Sequence, residues 1–495
     1  MLGWVRQVFS ASHYEDAGMS GNPAGDDHAE APMPEAAYLD RCRLLFQENR
    51  LDDASALVER GLAHLPDSVY LRLYLGNLRH TQGRFAEAAD AYETAVRHLP
   101  ENPSILANLG LAHLMTGRYD RAIARLQRAL VLDPSSLDAN LSLGRAWLDQ
   151  GNLDAARECF ERTLELDPEH AAARYNLGHL DLLLGDFKSG WAGFQMRNQL
   201  PGMAPNPTFQ EPQFSLAADV AGKTVLLYAE QGYGDTLQFI RYAAPVAQRG
   251  ARVLVAVPPS LQTLAARCAG VAAVVQPDTD VQFDLQCSLL ALPGVFGTEL
   301  GSIPHAIPYL HAAPERVVYW RERLGEPVLP RIGLVWSGDP RKNAVTAYHL
   351  DTMRSIRLRQ WQPLLEIAGL EFHSLQLGAE AVAQLAGQPR IADHAQSLFD
   401  FQETAALIEQ LDLVISVDTS VAHLAGGLGK PVWMLNRFNT CWRWLQERSD
   451  SPWYPSMRIF RQRSFGDWDG VIADVAAALS EFARSHAHSG QKGQR

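Results

Sequence analysis

A period of 34 residues runs through the first half of the chain and limits what it can fold into. Four series of residues keep this interval: Gly76, Gly110, Gly144 and Gly178; Gly83, Gly117, Gly151 and Gly185; Ala54, Ala88, Ala122 and Ala156; and Pro66, Pro100, Pro134 and Pro168. A repeat of this length cannot bury its apolar face alone and must stack on its neighbours. We therefore predict an α-solenoid of helical pairs, because an unrelated helical bundle would not keep one register across four series.

The repeated residues have local structural roles. Gly83 and its equivalents follow the first helix of a unit, where the chain needs a residue in the left-handed region. Asn49 stands one period before Gly83, and asparagine is the usual substitute for glycine in that conformation. Gly76 and its equivalents lie within the first helix, where the missing side chain lets a second helix pack closely. The alanines are small contacts on that second helix, and the prolines end it.

The fragment LGLAHLMTGRYDRAIARLQRALVLDP carries the full pattern and resembles a tetratricopeptide repeat, which has two helices in each 34-residue unit. Five units fit the sequence: 35–68, 69–102, 103–136, 137–170 and 171–202. The last unit has Gly190 where the alanine is expected and is predicted to cap the stack. Such a stack has a concave groove lined by the first helices, so we expect it to dock a protein or peptide. A dimerisation surface or a spacer is the alternative.

The rest of the chain differs from the repeats in composition and pattern. Residues 1–34 are rich in Gly, Pro, Ala and acidic residues and are predicted to be a disordered lead-in, and residues 203–221 to be a linker. Beyond it, short β-rich runs alternate with helical segments, which indicates a parallel, doubly wound sheet. The series restarts, which predicts two Rossmann-like domains, 222–314 and 315–485, before a disordered tail, 486–495. In that fold, ligands bind at the carboxyl ends of strands.

The segment DLVISVDTSVAHL contains the first candidate binding loop. A predicted strand ends at Asp418, and a predicted helix begins at Thr419 to Val421. The free N–H groups and the positive dipole end of a helix suit a phosphate, and Thr419 and Ser420 add hydroxyl groups. His423 follows one helical turn later and can face the same ligand. The alternatives are that Asp418 only caps the helix and that His423 is a packed core histidine.

The longer stretch DTSVAHLAGGLGKP, with WRWLQERSDSPWYPS and IFRQRSFGDW behind it, closely resembles the C-terminal nucleotide-sugar domain of heptosyltransferase-like (family 9) GT-B glycosyltransferases, in the branch that carries tetratricopeptide repeats. The resemblance covers roughly 222–480. It implies a GT-B fold in which Asp418, Thr419, Ser420 and His423 hold the donor diphosphate. Trp444 in this region is predicted to pack, and the role of Trp442 stays open.

The loop QGYGD follows the first predicted strand of the second half. Gly232 and Gly234 allow the backbone to approach a ligand, and we assign both to the donor. The family has a similar G-x-G-D loop whose aspartate lies near the acceptor, so the resemblance makes Asp235 the candidate general base. An inverting transfer needs one carboxylate to deprotonate the acceptor hydroxyl. The alternative is that Asp235 only caps the helix that begins at Thr236.

The third loop lies in GLVWSGDPRKN. Cations or a metal must stabilise the charge that builds up on a leaving nucleoside diphosphate. No D-x-D pair occurs in the region of this loop, so we expect no metal and assign Ser337, Gly338 and Arg341 to the donor. The family has a lysine in this loop, which makes Lys342 a catalytic candidate; a solvated basic loop is the alternative. In the family, R-S-I follows soon after K-N-D, whereas here the segment AVTAYHLDTM precedes Arg354.

Charge and cysteine content exclude several classes of protein. The net charge of -12 argues against a general binder of nucleic acids or anionic membranes, because both are polyanions. The five cysteines are scattered and form no C-x-x-C pair, which argues against a disulfide framework or a structural zinc site. The start of the chain does not read as a secretory signal, and no run of about 18 apolar residues occurs. We therefore expect a cytoplasmic protein without a membrane span.

Together these features predict a tetratricopeptide solenoid followed by a GT-B glycosyltransferase of hexosyl or heptosyl type. The transfer is expected to be inverting and independent of metal, with a nucleotide sugar as substrate and no cofactor. Three alternatives stay open: a protein or peptide acceptor docked by the repeats, a bacterial surface glycan or lipid-linked core as acceptor, and a scaffold with a degenerate site. The sequence does not determine the sugar, the nucleotide, the acceptor or the oligomeric state.

Overall fold

The computed structural model describes residues 32–200, 207–276, 281–340 and 345–492. Contacts within the chain divide it into two compact units. The first unit runs up to Leu177 and also includes the short segment that begins at Gln199, and the second takes in Gly178–Asn198 together with the α/β region. Within the described residues, no helix is both long and apolar enough to cross a lipid bilayer.

Paired helices build the repeat region. In chain order they are α1 (Glu35–Gln47), α2 (Leu51–His64), α3 (Val69–Thr81), α4 (Phe85–His98), α5 (Pro103–Met115), α6 (Tyr119–Leu132), α7 (Leu137–Asp149), α8 (Leu153–Leu166), α9 (Ala171–Leu184) and α10 (Phe187–Phe194). Helices α2, α4, α6 and α8 each end two residues before a repeated proline. This is the predicted tetratricopeptide solenoid.

The two glycine series have the conformations and contacts expected of them. Gly83 has a φ of 76°, its equivalents have values between 71° and 87°, and Asn49 has a φ of 59°. All of them lie in the left-handed region that a glycine reaches without strain. Within α7, a Cβ on Gly144 would lie 2.5 Å from Cε1 of Phe160, so the missing side chain does allow α8 to pack closely.

The α/β region begins after the repeats. Its strands are β1 (Thr224–Tyr228), β2 (Arg252–Ala256), β3 (Val271–Val275), β4 (Leu285–Ser288), β5 (Arg331–Val335), β6 (Glu371–Ser374), β7 (Ile391–Asp393), β8 (Leu413–Val417), β9 (Val432–Asn436) and β10 (Met457–Arg461). Its helices are α11 (Tyr233–Phe239), α12 (Ala243–Gln248), α13 (Pro259–Ala265), α14 (Leu292–Val295), α15 (Pro314–Leu324), α16 (Val345–Arg354), α17 (Gln362–Leu365), α18 (Ala379–Val382), α19 (Phe401–Ile408), α20 (Ser420–Gly427) and α21 (Trp468–Lys492).

These strands form two parallel sheets. The first has the order β3-β2-β1-β4 and the second the order β10-β9-β8-β5-β6-β7. Read from β7, the second sheet has the 3-2-1-4-5-6 order of a doubly wound dinucleotide-binding fold, and the first repeats its opening 3-2-1-4 part. Strands β5 and β8 are buried at every position, because a parallel sheet is covered on both faces. The predicted pair of Rossmann-like domains is therefore confirmed.

The last predicted repeat is shared between the two compact units. Helix α9 crosses the division, and α10 and the 3-10 turn Gln195–Gln199 follow it. In the second unit, the indole Nε1 of Trp191 donates a hydrogen bond of 2.7 Å to the carbonyl oxygen of Thr298. At the other end of the chain, α21 continues to Lys492, beyond position 485, where we expected the ordered chain to end.

Candidate functional site

The three predicted loops all leave the carboxyl ends of strands. The QGYGD loop follows β1, and the loops that contain Ser337 and Asp418 follow β5 and β8. In the second sheet β5 and β8 are neighbours, with Val335 opposite Ser416. The strand order reverses between β5 and β8, and such a switch point is where open α/β sheets bind ligands. The loops after β5 and β8 therefore lie at the edge where a ligand is expected.

A close contact joins the loops of the two sheets. Helix α11 packs against α20, and a Cβ on Gly234 would lie 2.9 Å from Cδ2 of His423. The Nδ1 atom of His423 is 2.9 Å from the hydroxyl oxygen of Tyr454. Burial, with a smaller contribution from Arg443, lowers the pKa of His423 to about 3 although Asp418 acts in the opposite direction. His423 is thus a neutral, buried histidine at the meeting point of the two domains.

Asp235 is held through both of its carboxylate oxygens. The backbone N–H of Gly232 donates a hydrogen bond of 3.0 Å to Oδ2. The helix begins at Tyr233 with Gly232 as its cap, so Asp235 is its third residue, and the alternative that Asp235 caps a helix beginning at Thr236 is wrong. Nη2 of Arg443 donates a hydrogen bond of 2.5 Å to Oδ1. Burial lowers the pKa of Arg443, but Asp235, Cys441 and Asp418 together outweigh burial and raise that pKa above the ordinary value. A carboxylate offers about four acceptor positions, so these two bonds leave room for a further hydrogen bond.

Arg443 is a site residue that the sequence analysis missed. It lies in the 3-10 turn Trp442–Trp444, with its guanidinium carbon 4.4 Å from the ring centre of Trp442. That ring packs edge-on against Trp191 at 5.3 Å and Phe194 at 5.6 Å, both in the segment Gly178–Asn198. Trp442 and Trp444 are both buried, so packing is confirmed for Trp444 and found for Trp442. The sequence signal that could have found Arg443 is its position between two tryptophans, Trp442 and Trp444.

Arg354 reaches the loop after β8 despite the long segment before it. Its Nη1 donates a hydrogen bond of 3.0 Å to the backbone oxygen of Asp418, and its Nε donates one of 3.0 Å to Oδ1 of Asp351. The hydroxyl of Ser355 accepts a hydrogen bond from the N–H of Gly338 at 3.1 Å. A Cβ on Gly338 would lie 2.1 Å from Oδ1 of Asp351, so only glycine fits there. This network joins the loops after β5 and β8.

The start of α20 differs in one respect from the expectation. The residue that caps the helix is Thr419, not Asp418, so the helix-cap alternative for Asp418 is wrong. The Thr419 hydroxyl is 3.0 Å from the hydroxyl of Ser416. Among the described residues, none donates a hydrogen bond to the Asp418 carboxylate. Ser420 is the first residue of the helix, at its positive end.

Two predicted cations fall outside the described residues. Arg341 and Lys342 lie in the segment 341–344, so their roles stay predictions. In the described part of the loop after β5, Gln376 accepts hydrogen bonds of 3.0 Å from the N–H groups of Trp336 and Ser337. In the part of the chain that the structure describes, no group of three or more His, Cys, Asp or Glu is placed to hold a metal ion.

Comparison with known families agrees with both halves of this architecture. The tetratricopeptide repeat family matches residues 39–103, 81–137, 107–159 and 141–189. Glycosyltransferase family 9 (heptosyltransferase) matches residues 379–440, a stretch that contains the whole loop after β8. The chain thus carries tetratricopeptide repeats, followed by an α/β region that contains a segment matching the family 9 glycosyltransferases.

One curated relative is Protein FlbA of Caulobacter vibrioides, which is 28% identical over 342 residues. The match covers 61% of this chain and 54% of FlbA, so the chain spans about half the length of that relative. Among solved structures, YrrB, described as a TPR protein with an unusual peptide-binding site, is 26% identical. It matches with a TM-score of 0.29, over 33% of this chain and 84% of YrrB. The type IV pilus biogenesis factor PilW is 20% identical, with a TM-score of 0.31, over 33% of this chain and 76% of PilW.

Proposed function

We propose that this protein is a cytoplasmic glycosyltransferase that moves a sugar from a nucleotide-sugar donor to an acceptor hydroxyl. One observation carries the proposal: the segment that matches family 9 contains the loop after β8, and that loop lies at the switch point of the second sheet. The helix that starts there offers N–H groups and a positive dipole end to a diphosphate. The expected ligand position at the switch point and the anion-binding groups at the start of α20 thus lie at the same edge of the second sheet.

The donor is proposed to lie along the loops after β5 and β8. Thr419 and Ser420 would donate hydroxyl hydrogen bonds to phosphate oxygens, and Asp418 would accept hydrogen bonds from the sugar or ribose. His423 is neutral because of its burial, so it would act as a hydrogen-bonding group and not as a cation. Ser337 and Gly338, which the Arg354 network holds in place, would form the opposite side of this donor site.

Asp235 is the proposed general base of an inverting transfer. Its carboxylate would take the proton of the acceptor hydroxyl while the oxygen attacks the anomeric carbon, and the nucleoside diphosphate would leave with the electron pair of the broken bond. Arg443 supports this role because its hydrogen bond to Oδ1 orients the carboxylate. Lys342 and Arg341 are the proposed cations for the leaving group, and we expect no metal requirement. A hexosyl or heptosyl sugar fits the family.

The repeats are proposed to dock a protein or peptide that is the acceptor or a partner. A concave solenoid surface suits an extended chain, and YrrB is a repeat protein described as having a peptide-binding site. A bacterial surface glycan or lipid-linked core is the alternative acceptor.

A scaffold without turnover is the second candidate function. The ion pair between Asp235 and Arg443 favours it, because Arg443 already occupies one oxygen of the carboxylate that would have to accept the proton. The two candidates differ in one property, since only the transferase must bind and consume a nucleotide sugar.

The test is a thermal-shift and calorimetric screen of nucleoside diphosphates and nucleotide sugars against the full chain. A ligand that binds only the folded state raises the unfolding midpoint by mass action. We expect one nucleotide sugar to bind, Asp418→Ala to lose that binding, and Asp235→Asn to keep it but lose turnover. The matched control is Asp474→Ala, because Asp474 is an exposed surface carboxylate, paired with Arg463, on the last helix. No binding across the panel, or equal binding by wild type and Asp418→Ala, would refute the proposed donor site.

A further inference from the structure

One arginine near the candidate site has buried nitrogens that contact no acceptor. The Nε and Nη1 atoms of Arg437 are buried and have no hydrogen-bond partner among the described residues. The neighbouring arginines differ: Arg443 is paired with Asp235, and Arg354 with Asp351. Arg437 as a whole is half-buried, but guanidinium nitrogens that are buried without an acceptor are costly and need an explanation.

The position of Arg437 follows from the register of the second sheet. Strands β8 and β9 are parallel neighbours, with Val417 opposite Leu435. Thr419 and Arg437 each lie two residues further along the chain, so they leave adjacent strands at the same edge. Neighbouring strands are about 4.8 Å apart, which brings the base of the Arg437 side chain within one side-chain length of the start of α20.

The charges around Arg437 do not neutralise it. Within the described residues Arg437 forms no ion pair with an Asp or Glu side chain. Burial first, and then the charges of Arg443 and Arg437, lower the pKa of His179 to about 4, so this histidine is neutral near pH 7 and adds no anion. The region therefore combines a helix N-terminus with an unpaired guanidinium, and both favour an oxyanion.

We infer that Arg437 binds a phosphate oxygen of the donor diphosphate, alongside the start of α20. This inference rests on the proposed function, and it adds a cation that lies on the strand next to the donor loop. A planar guanidinium can bind two oxygens of one phosphate, and a diphosphate is long enough to contact the helix start with its other phosphate. Arg437 would then hold the leaving group during transfer, with Arg354 occupied in positioning the Asp418 loop.

The experiment measures calorimetric binding of inorganic pyrophosphate, and of the nucleotide sugar found in the screen, to the full chain. Arg437→Gln should weaken both by about tenfold to a hundredfold, the usual effect of losing a charged hydrogen bond. Arg437→Lys should restore part of the binding, because it keeps the charge without the planar fork. The control is Arg463→Gln, whose side chain is 73% exposed and should bind both probes as wild type does.

A second measurement separates ligand binding from a structural role. Without ligand, Arg437→Gln should unfold at the same midpoint as wild type or a higher one, because the substitution removes an unpaired charge whose Nε and Nη1 atoms are buried. A lower midpoint together with unchanged binding would assign Arg437 a structural role and overturn the inference.

The outcomes distinguish this inference from the proposed function. Suppose that the nucleotide sugar binds to wild type, that Asp418→Ala loses this binding and that Arg437→Gln keeps it. Then the inference about Arg437 is wrong and the proposed donor site stands. If pyrophosphate binding depends on Arg437 while no nucleotide sugar binds, then the anion site stands and the transferase proposal fails. If wild type binds neither probe, both are wrong.

Discussion

The buried ion pair between Arg197 and Glu230 provides a quantitative test of how the segment Gly178–Asn198 supports the second unit. Arg197 lies in the turn after α10, and Glu230 follows β1, two residues before Gly232. Nε and Nη2 of Arg197 donate hydrogen bonds of 2.7 and 2.8 Å to the two carboxylate oxygens. The side chains are 1% and 4% exposed, and the hydroxyl of Ser288 also donates to Glu230.

The perturbation is Arg197→Met, which keeps much of the aliphatic stem and removes the charge. It leaves the Glu230 carboxylate buried with only Ser288 as a hydrogen-bond donor. Removing one partner of a buried ion pair costs about 3–5 kcal/mol, so we expect the free energy of unfolding of the second unit to fall by that amount. Combining the change with Glu230→Gln removes the uncompensated charge, and the double variant should recover part of the loss.

The assay is denaturant unfolding followed by tryptophan fluorescence. Every tryptophan except Trp4 and Trp147 lies in the sequence assigned to the second unit, so the signal reports mainly on that unit. The control is Arg463→Met, because the pair formed with Asp474 has side chains that are 73% and 46% exposed. An exposed pair of this kind contributes less than about 1 kcal/mol.

The result that refutes this reasoning is equal stability of Arg197→Met and Arg463→Met. In that case the Glu230 carboxylate either stays buried at no cost without Arg197 or is exposed to water in solution. The segment Gly178–Asn198 would then support the loop after β1 through its aromatic side chains only.

Two further predictions concern packing and pH. Gly144→Ala places a Cβ 2.5 Å from Cε1 of Phe160, so the free energy of unfolding of the repeat region should fall by about 1–3 kcal/mol, measured by denaturant unfolding followed by circular dichroism. The control is Gly301→Ala, whose Cβ would have no atom within 4 Å and which should change the free energy of unfolding by less than about 0.5 kcal/mol. Equal effects of the two substitutions would contradict this prediction. Burial lowers the pKa of His423 to about 3, below about 6.5 in an unfolded chain, so the unfolded state binds the extra proton in between. The contribution of His423 to stability is complete above about pH 6.5 and falls by about 1.4 kcal/mol per pH unit below it. His423→Gln should therefore reduce the slope of the unfolding free energy against pH in this range. An unchanged slope would show that His423 takes up its proton in the folded protein over the same pH range as in the unfolded chain.

Much of the fold could be read from the sequence because it depends on local rules. A residue with positive φ is needed after the first helix of each repeat, and the sequence has glycine or asparagine there, as at Gly83 and Asn49. Apolar runs such as RIGLV and LVISV indicate buried parallel strands, and they form β5 and β8. The loops at the ends of those strands were therefore predictable as candidate sites, including Asp418 and Asp235.

The partners of those candidate residues could not be read from the sequence. Arg443 lies 208 positions from Asp235, and no spacing rule relates residues in two different Rossmann-like domains. The alternative that Asp418 caps the helix was wrong by one residue, since the cap is Thr419. Asp, Thr and Ser are all common helix caps, so the residue types alone do not decide which of them starts the helix; the backbone geometry does.

The sequence by itself therefore determined the repeat, the two parallel sheets and the loops where a ligand can bind, since periodicity and residue type constrain neighbouring backbone geometry. The tertiary structure alone decided that Gly178–Asn198 packs into the second unit, that Arg443 pairs with Asp235, and that Arg437 has buried nitrogens without a partner. These features depend on which side chains meet after the chain has folded, and contacts between residues far apart in the sequence leave no regular spacing by which to predict them.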